Sequence, residues 1–174
     1  MRRLGLTMTA AAAALTLAGC GKSPSNNQGD QAQANSSAQP TTAGSTSAAE
    51  PTPEQKKAAV ATLPAPYNGA DLDNGETKFA VCKSCHTLNP GGPDMTGPNL
   101  SGVFGRKVAT KAGFKFSDPL AAQSFTWDAA QMDKWLTDPK AMVPGTKMTF
   151  PGFKDPKDRI DVIGYVKAET TPAS

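Results

Sequence analysis

Within Val81-Cys82-Lys83-Ser84-Cys85-His86, two thiols stand three residues apart and an imidazole follows at once. At that separation both sulfurs fall on one side of a helical turn, and the imidazole lies against whatever they hold. The arrangement suits a haem, whose vinyl groups can each receive a sulfur while His86 ligates the iron from one face. Cys-x-x-Cys-His is a signature of covalent haem attachment, far more specific than a bare Cys-x-x-Cys. Two other chemistries compete. A thioredoxin-like dithiol wants a strand before it and a helix after it, and no apolar strand precedes Cys82. A structural zinc site needs four ligands, usually Cys and His. The chain has three Cys and one His, and Cys20 belongs to a different feature. Haem is the chemistry these residues favour.

The rest of the chain must position that motif. At 174 residues there is room for one ordinary domain. Aromatic residues are few and Gly plus Pro number 31. A covalent haem adds a large apolar body to a small core. The net charge of +3 is too mild to argue for nucleic acid. From Pro66 onward 13 Lys and Arg face 12 Asp and Glu. Docking must therefore depend on where the lysines sit rather than on total charge.

Residues 1–20 have the pattern of an export signal: Arg2 and Arg3, then an apolar run of 15 residues from Leu4 to Ala18. That run is short for a membrane-spanning helix and ordinary for a signal peptide. Leu17-Ala18-Gly19-Cys20 is similar to the lipobox of bacterial lipoproteins. The similarity implies that Cys20 becomes the mature first residue and carries lipid, with more than one acyl chain for stable anchoring. Residues 21–65 hold almost no large apolar side chain, so nothing offsets the entropy of ordering them. We expect a disordered tether with a root-mean-square span of roughly 35–40 Å. Within it Pro53–Leu63 could form a helical turn or two.

The folded domain is expected over residues 66–174. Asp71 to Lys83 has a helical pattern running into the Cys-x-x-Cys-His motif, with Leu72, Phe79 and Cys82 on compatible faces. Thr87 to Phe116 is rich in Gly and Pro and shows no period, which means loops wrapped around something. Asp128 to Thr137 is a helix with Met132, Trp135 and Leu136 on its apolar side, closed by Asp138-Pro139 and followed by a short turn. A last helix opens with Asp155 as N-cap and Pro156 at its first position. Ile160, Ile163, Gly164 and Val166 continue it at helical spacing to about Ala168.

With one histidine, the second axial position falls to a thioether among six methionines. Met1 and Met8 leave with the leader. Met95 follows His86 by only nine residues, too close to reach the far face easily. Met132 and Met142 sit in helical contexts and fit a core-filling role better. Met148 stands in the extended loop Pro144-Gly145-Thr146-Lys147-Met148, which can cross to the far side of a ring.

From about Gly69 onward the chain resembles a class I cytochrome c of the mitochondrial and alphaproteobacterial type, over about 100 of the 174 residues. The resemblance rests on Gly75-Glu76, Phe79, Cys82-Lys83-Ser84-Cys85-His86-Thr87 and Thr96-Gly97-Pro98-Asn99-Leu100-Ser101-Gly102-Val103-Phe104-Gly105-Arg106-Lys107. It continues through Phe125-Thr126-Trp127, Pro144-Gly145-Thr146-Lys147-Met148-Thr149-Phe150 and Ile163-Gly164-Tyr165-Val166. It implies an all-α fold, three main helices plus short helices and Gly/Pro-rich loops around one haem c. It further implies that Cys82 and Cys85 hold the haem by two thioethers and that His86 and Met148 are the axial ligands. Pro98 should offer its carbonyl to the other nitrogen of His86. Arg106, Ser117, Trp127 and Thr146 match positions that hold the haem propionates, which need donors when buried. Phe150 should cover the haem on the Met148 side, and Gly75 should let the first helix cross the last closely at Tyr165.

Three positions depart from the family pattern. Phe116 stands where a tyrosine usually donates to a propionate. Leu120 stands where an asparagine often joins the buried polar network. Trp135 replaces a tyrosine near the methionine sulfur, and its indole N–H offers a substitute donor. Fewer polar groups around the haem would shift its potential.

The resemblance implies an electron carrier, not an enzyme. A filled sixth position leaves no open site for oxygen or peroxide, and no spare acid–base pair is evident. Lys83, Lys140, Lys147 and Lys154 match positions near the exposed haem edge and would steer it toward acidic partners. By family analogy the donor is a quinol-oxidising complex and the acceptor a terminal oxidase or a peroxidase. The expected carrier is a monomer on the periplasmic side of a bacterial envelope, held to a membrane by lipid, with no nucleic-acid partner. Two rivals stay open: a haem enzyme or gas sensor in which Met148 is labile, and a cytochrome subunit fixed to one dehydrogenase.

Overall fold

A computed structural model of the chain describes residues 50–172. The export signal, Cys20 and most of the expected tether lie outside the described residues. Among the described residues six α-helices follow one another: α1 (Pro53–Ala61), α2 (Leu72–Phe79), α3 (Asp118–Ala121), α4 (Ala129–Thr137), α5 (Pro139–Met142) and α6 (Pro156–Thr170). A 3-10 turn at Tyr67–Gly69 leads into α2. Among the described residues the only β pairing is one isolated antiparallel bridge, Lys107 with Thr126. The all-α expectation therefore holds.

The longest of the described helices, α6, is the element on which α1, α2 and α4 all pack. It starts where the sequence says it should: the Asp155 carboxylate accepts from the Lys157 N–H at 2.8 Å, and Pro156 fills the first helical position. α2 crosses α6 at Gly75, where an added Cβ would lie 2.7 Å from the Tyr165 Cβ and closer still to the Asp161 carbonyl. Any larger residue there would push the helices apart. Phe79 and Tyr165 pack beside that crossing with ring centroids 5.5 Å apart. The same crossing buries the Asp161 carboxylate, which accepts from the Asp71 N–H at 2.9 Å, Asn74 Nδ2 at 2.6 Å and Lys157 Nζ at 2.5 Å. A carboxylate with three donors is a buried charge that stays matched.

α1 bears out the helical turns expected within Pro53–Leu63 but corrects their assignment to a disordered tether. Residues expected to belong to a disordered tether form a helix on α6, so the folded body begins before Pro66. Thr52 and Gln55 close a reciprocal capping box, Thr52 Oγ1 accepting from the Gln55 N–H at 3.3 Å and Gln55 Oε1 from the Thr52 N–H at 2.8 Å. Ala59, Val60 and Leu63 are buried, and Lys56 Nζ lies 2.6 Å from Glu169 on α6. A helix this short has little stability of its own; tertiary packing of its small apolar face supplies it.

Elsewhere the differences are at boundaries. α2 stops at Phe79 rather than Lys83, and tight turns carry the chain through the motif: Cys82 N–H to Phe79 O at 2.8 Å, Cys85 N–H to Cys82 O at 3.0 Å and His86 N–H to Cys82 O at 2.9 Å. Where a short turn was expected after α4, Asp138 instead caps α5, accepting from the Lys140 and Ala141 N–H groups at 3.1 and 3.0 Å. The long segment 87–116 holds no helix. Its backbone groups are matched across loops instead, as in Leu100 N–H to Thr87 O at 2.8 Å, Trp127 N–H to Arg106 O at 2.9 Å and Val108 N–H to Phe125 O at 2.9 Å.

Candidate functional site

Loops, α2, α4 and α6 enclose one large cavity of about 590 Å³. That lies within the ~300–1,000 Å³ range of ligand and cofactor sites. Every residue assigned to haem from sequence lines it: Cys82, Cys85, His86, Pro98, Arg106, Ser117, Trp127, Thr146, Met148 and Phe150.

Cys82 and Cys85 reach the cavity from the turns after α2 as free, half-buried thiols. Burial first, and then the neighbouring Cys85, pushes the Cys82 thiol up to about 11. A redox dithiol works through a depressed thiol, so this environment opposes the thioredoxin-like reading. Among the described residues no three His, Cys, Asp or Glu come together to hold a metal ion, which leaves structural zinc without a ligand set.

His86 Nδ1 lies 2.7 Å from the Pro98 carbonyl oxygen. A carbonyl only accepts, so Nδ1 carries the proton and Nε2 presents its lone pair. Burial lowers the imidazole's proton affinity, with the Pro98 bond opposing it, so the ring is in its neutral, ligating form near pH 7. Gly97 packs flat on the ring: an added Cβ would stand 2.7 Å from Nδ1 and 2.8 Å from Nε2.

Met148 enters from the loop after α5, which turns at Gly145 with φ +84°. Its N–H donates to Thr146 Oγ1 at 3.4 Å, and Phe150 beside it packs edge-on against Phe153 at 4.8 Å. Met95 is 46% exposed, and neither it nor Met142 lines the cavity. Met132 of α4, assigned to the core, is buried but also borders the cavity. Two thioethers therefore reach this space, and the loop position of Met148 distinguishes them.

The polar wall is formed by Arg106, Ser117, Trp127 and Thr146. Arg106 Nη1 donates to the Ser101 carbonyl at 3.2 Å, leaving other guanidinium protons available. Burial lowers its proton affinity and Asp94 works against that, yet a guanidinium stays charged near pH 7. Ser117 Oγ is buried without a hydrogen-bond partner. Such an orphan is costly, and a propionate oxygen is the acceptor that a haem would bring to it. Trp127 is packed edge-on between Phe125 at 4.8 Å and Trp135 at 5.7 Å. The residues present fit a haem: apolar walls, two thiols, an oriented imidazole, a thioether, and donors gathered for carboxylates.

Phe116, Leu120 and Trp135, the three departures, also line the cavity, so its wall is more apolar than the family pattern. Sequence reading missed Phe114, paired with Phe116 at 4.8 Å, and Lys115 between them. It named Val166 only as a helical-spacing residue of α6 and missed Val162; both bring α6 into the wall, and their i, i+4 spacing was the available signal. The four docking lysines are exposed. Lys147 borders the cavity, whereas Lys83 pairs with Glu76 at 3.3 Å and Lys154 Nζ donates to the Pro151 carbonyl at 3.4 Å.

A covalently held haem inside a helical frame defines a class, and comparison with known proteins places the chain in it. The family model described as cytochrome c matches residues 72–169. Cytochrome c2 iso-2 of Magnetospirillum fulvum is 50% identical over 90 residues, covering 52% of this chain and 93% of that one. Cytochrome c2 of Rhodomicrobium vannielii is 43% identical over 103 residues, covering 59% of this chain and 82% of that one. Among solved structures, cytochrome cH from Methylobacterium extorquens superposes with a TM-score of 0.52 at 47% identity, covering 56% of this chain and 98% of that chain. The chain belongs to the cytochrome c family. It is a monohaem c-type cytochrome, an electron carrier rather than an enzyme.

Proposed function

We propose that this cytochrome is a lipid-anchored, periplasmic one-electron carrier that moves between membrane-bound respiratory partners. The observation that carries the reading is the convergence of Cys82, Cys85, His86 and Met148 on one apolar cavity. Bound haem c supplies a reversible one-electron couple. Cys82 and Cys85 would fix it covalently, and His86 Nε2 and Met148 Sδ would ligate its iron. Arg106, Ser117, Trp127 and Thr146 would match its carboxylates, and Phe150 would exclude water. A buried site with little to rearrange keeps reorganisation small. Lys147 and Lys115 at the cavity, with Lys83, Lys140 and Lys154 on the surface, would orient the open edge toward an acidic patch. The donor we infer is a quinol-oxidising complex and the acceptor a terminal oxidase or peroxidase.

The tether comprises residues from Cys20 to the start of α1, and the cytochrome domain follows it. Confinement by lipid raises the effective concentration of a partner in the same membrane. Among the described residues no helix is long and apolar enough to cross a membrane; the anchor we infer is lipid on Cys20, from its lipobox-like setting Leu17-Ala18-Gly19-Cys20. Potentiometric titration of the mature protein should give a single one-electron wave, and Cys20→Ser should move the cytochrome from membrane to soluble fraction. Binding of carbon monoxide to the ferrous form at neutral pH would instead support the open-site reading. Retention of Cys20→Ser in the membrane would remove the lipid anchor.

A further inference from the structure

The Pro98–Asn99 peptide is trans, so its C=O and N–H point in opposite directions within one rigid plane. Both ends are engaged at short distance. The Pro98 oxygen faces His86 Nδ1 at 2.7 Å, and the Asn99 N–H donates to Asp94 Oδ1 at 2.7 Å. Asp94 is itself held by Lys111, whose Nζ lies 2.8 Å from the carboxylate across 17 positions of sequence. The peptide plane has little freedom to rotate. The buried Asn99 side chain donates to Thr87 Oγ1 at 2.6 Å and to the Asn89 carbonyl at 2.9 Å, while its Oδ1 accepts from the Ser101 N–H at 2.9 Å.

We propose that Asp94 is a positioning residue that governs the electron donation of His86 through the Pro98–Asn99 peptide. The inference rests on the reading of His86 as the iron ligand. An anionic acceptor on a peptide N–H polarises that peptide and makes its carbonyl oxygen more negative. The carbonyl then draws harder on the Nδ1 proton, and the imidazole becomes a stronger donor at Nε2, as outer partners of ligating histidines do. Lys111 fixes the carboxylate and withdraws part of its charge. Lys111, followed by the Asn99 N–H, holds the Asp94 carboxyl below its ordinary value, so the anion is present at neutral pH. A surface ion pair is thereby connected by one peptide unit to the Nδ1–H side of the imidazole, and through the ring to Nε2.

The test uses the mature haem protein in its ferrous, diamagnetic form, observed by proton NMR together with its midpoint potential. Asp94→Asn keeps an acceptor of similar size and removes the charge. It should move the His86 Nδ1–H resonance upfield and raise the potential. Lys111→Gln leaves the carboxylate its full charge and should move the same resonance downfield and lower the potential. Should Asp94→Asn fail to accumulate as holoprotein, the downfield shift in Lys111→Gln carries the test alone. A changed potential with an unmoved Nδ1–H in both variants would mean charge acting through space, and would overturn the proposal. Shifts of the same sign in both would also overturn it. In the wild type, His86 ring protons lacking a large ring-current shift would instead remove His86 as ligand, and this inference with it.

Discussion

The two sides of the haem cavity are held by different physics. On the His86 side one imidazole is pinned by the Pro98 carbonyl, a glycine against its face, a buried asparagine and an ion pair. On the Met148 side the loop is tied at its two ends by backbone bonds, Thr146 N–H to Val143 O at 3.1 Å and Phe153 N–H to Leu136 O at 2.8 Å. Met148 itself has one long bond, from its N–H to Thr146 Oγ1 at 3.4 Å, beside aromatic packing of Phe150 on Phe153. Polar networks with short, directional bonds over-determine a geometry, whereas packing tolerates repacking. The comparison teaches that the imidazole's orientation is built into the polypeptide by bonds to the ring itself, while the thioether depends on a loop with few polar bonds beside it. An electron carrier needs both positions filled, but only one of them is fixed by a dense polar network.

Substitutions on either side can break that contrast. The largest effect is expected at Gly97, since an added methyl group would press on both ring nitrogens. Gly97→Ala should lower stability by about 3 kcal/mol in denaturant unfolding of the ferric protein, with the low-spin spectrum disturbed. Asn99→Ala comes next. It removes two donated bonds and one accepted bond from a buried position and should cost about 2 kcal/mol, seen as a lower urea midpoint at unchanged slope. Thr146→Val on the other side should cost less than about 1 kcal/mol. It should nevertheless speed the replacement of Met148 by added imidazole, measured by stopped-flow absorbance. A larger stability loss from Thr146→Val than from Asn99→Ala would reverse the contrast.

The smallest effect is a pH dependence. Asp94, faced by Lys111 and Arg106, is held below its ordinary 3.8 in the folded protein. A depressed carboxyl contributes stability that is fully present above its unfolded value and is lost as pH falls through its folded one. Acid titration of unfolding should therefore show a decline below that ordinary value in the wild type, shallower in Asp94→Asn. An equal decline in both would place the acid sensitivity elsewhere, with Asp161 as the next carboxylate to examine. Asp161 is also depressed, its burial outweighed by Lys157, the Asp71 N–H and Asn74.

What the sequence made legible follows from how local each signal is. α4 and α6 announce themselves through Asp128, Asp155 and Pro156 at their starts and apolar residues at helical spacing. The residues expected around the haem all border one cavity because motif blocks fix them in order along the chain. α1 was only partly legible: Pro53–Leu63 could be read as a helical turn or two, but Ala59, Val60 and Leu63 make a weak apolar pattern and gain meaning as a packed helix only against α6. The Asp94–Lys111 pair was equally hidden. Two oppositely charged residues in loops without a period give no clue to which partner the fold will bring within 2.8 Å. Met132 shows a different limit: helical spacing placed it correctly in the core, yet that core is also the cavity wall.

The central claim is that one haem is gripped at Cys82 and Cys85 with His86 and Met148 on its iron. Its most direct test is the near-infrared sulfur-to-iron charge-transfer band of the ferric protein in wild type, Met148→Ala and Met132→Ala. The band should vanish in Met148→Ala and persist in Met132→Ala. Persistence in Met148→Ala with loss in Met132→Ala would give the sixth position to the helix rather than the loop and contradict the account.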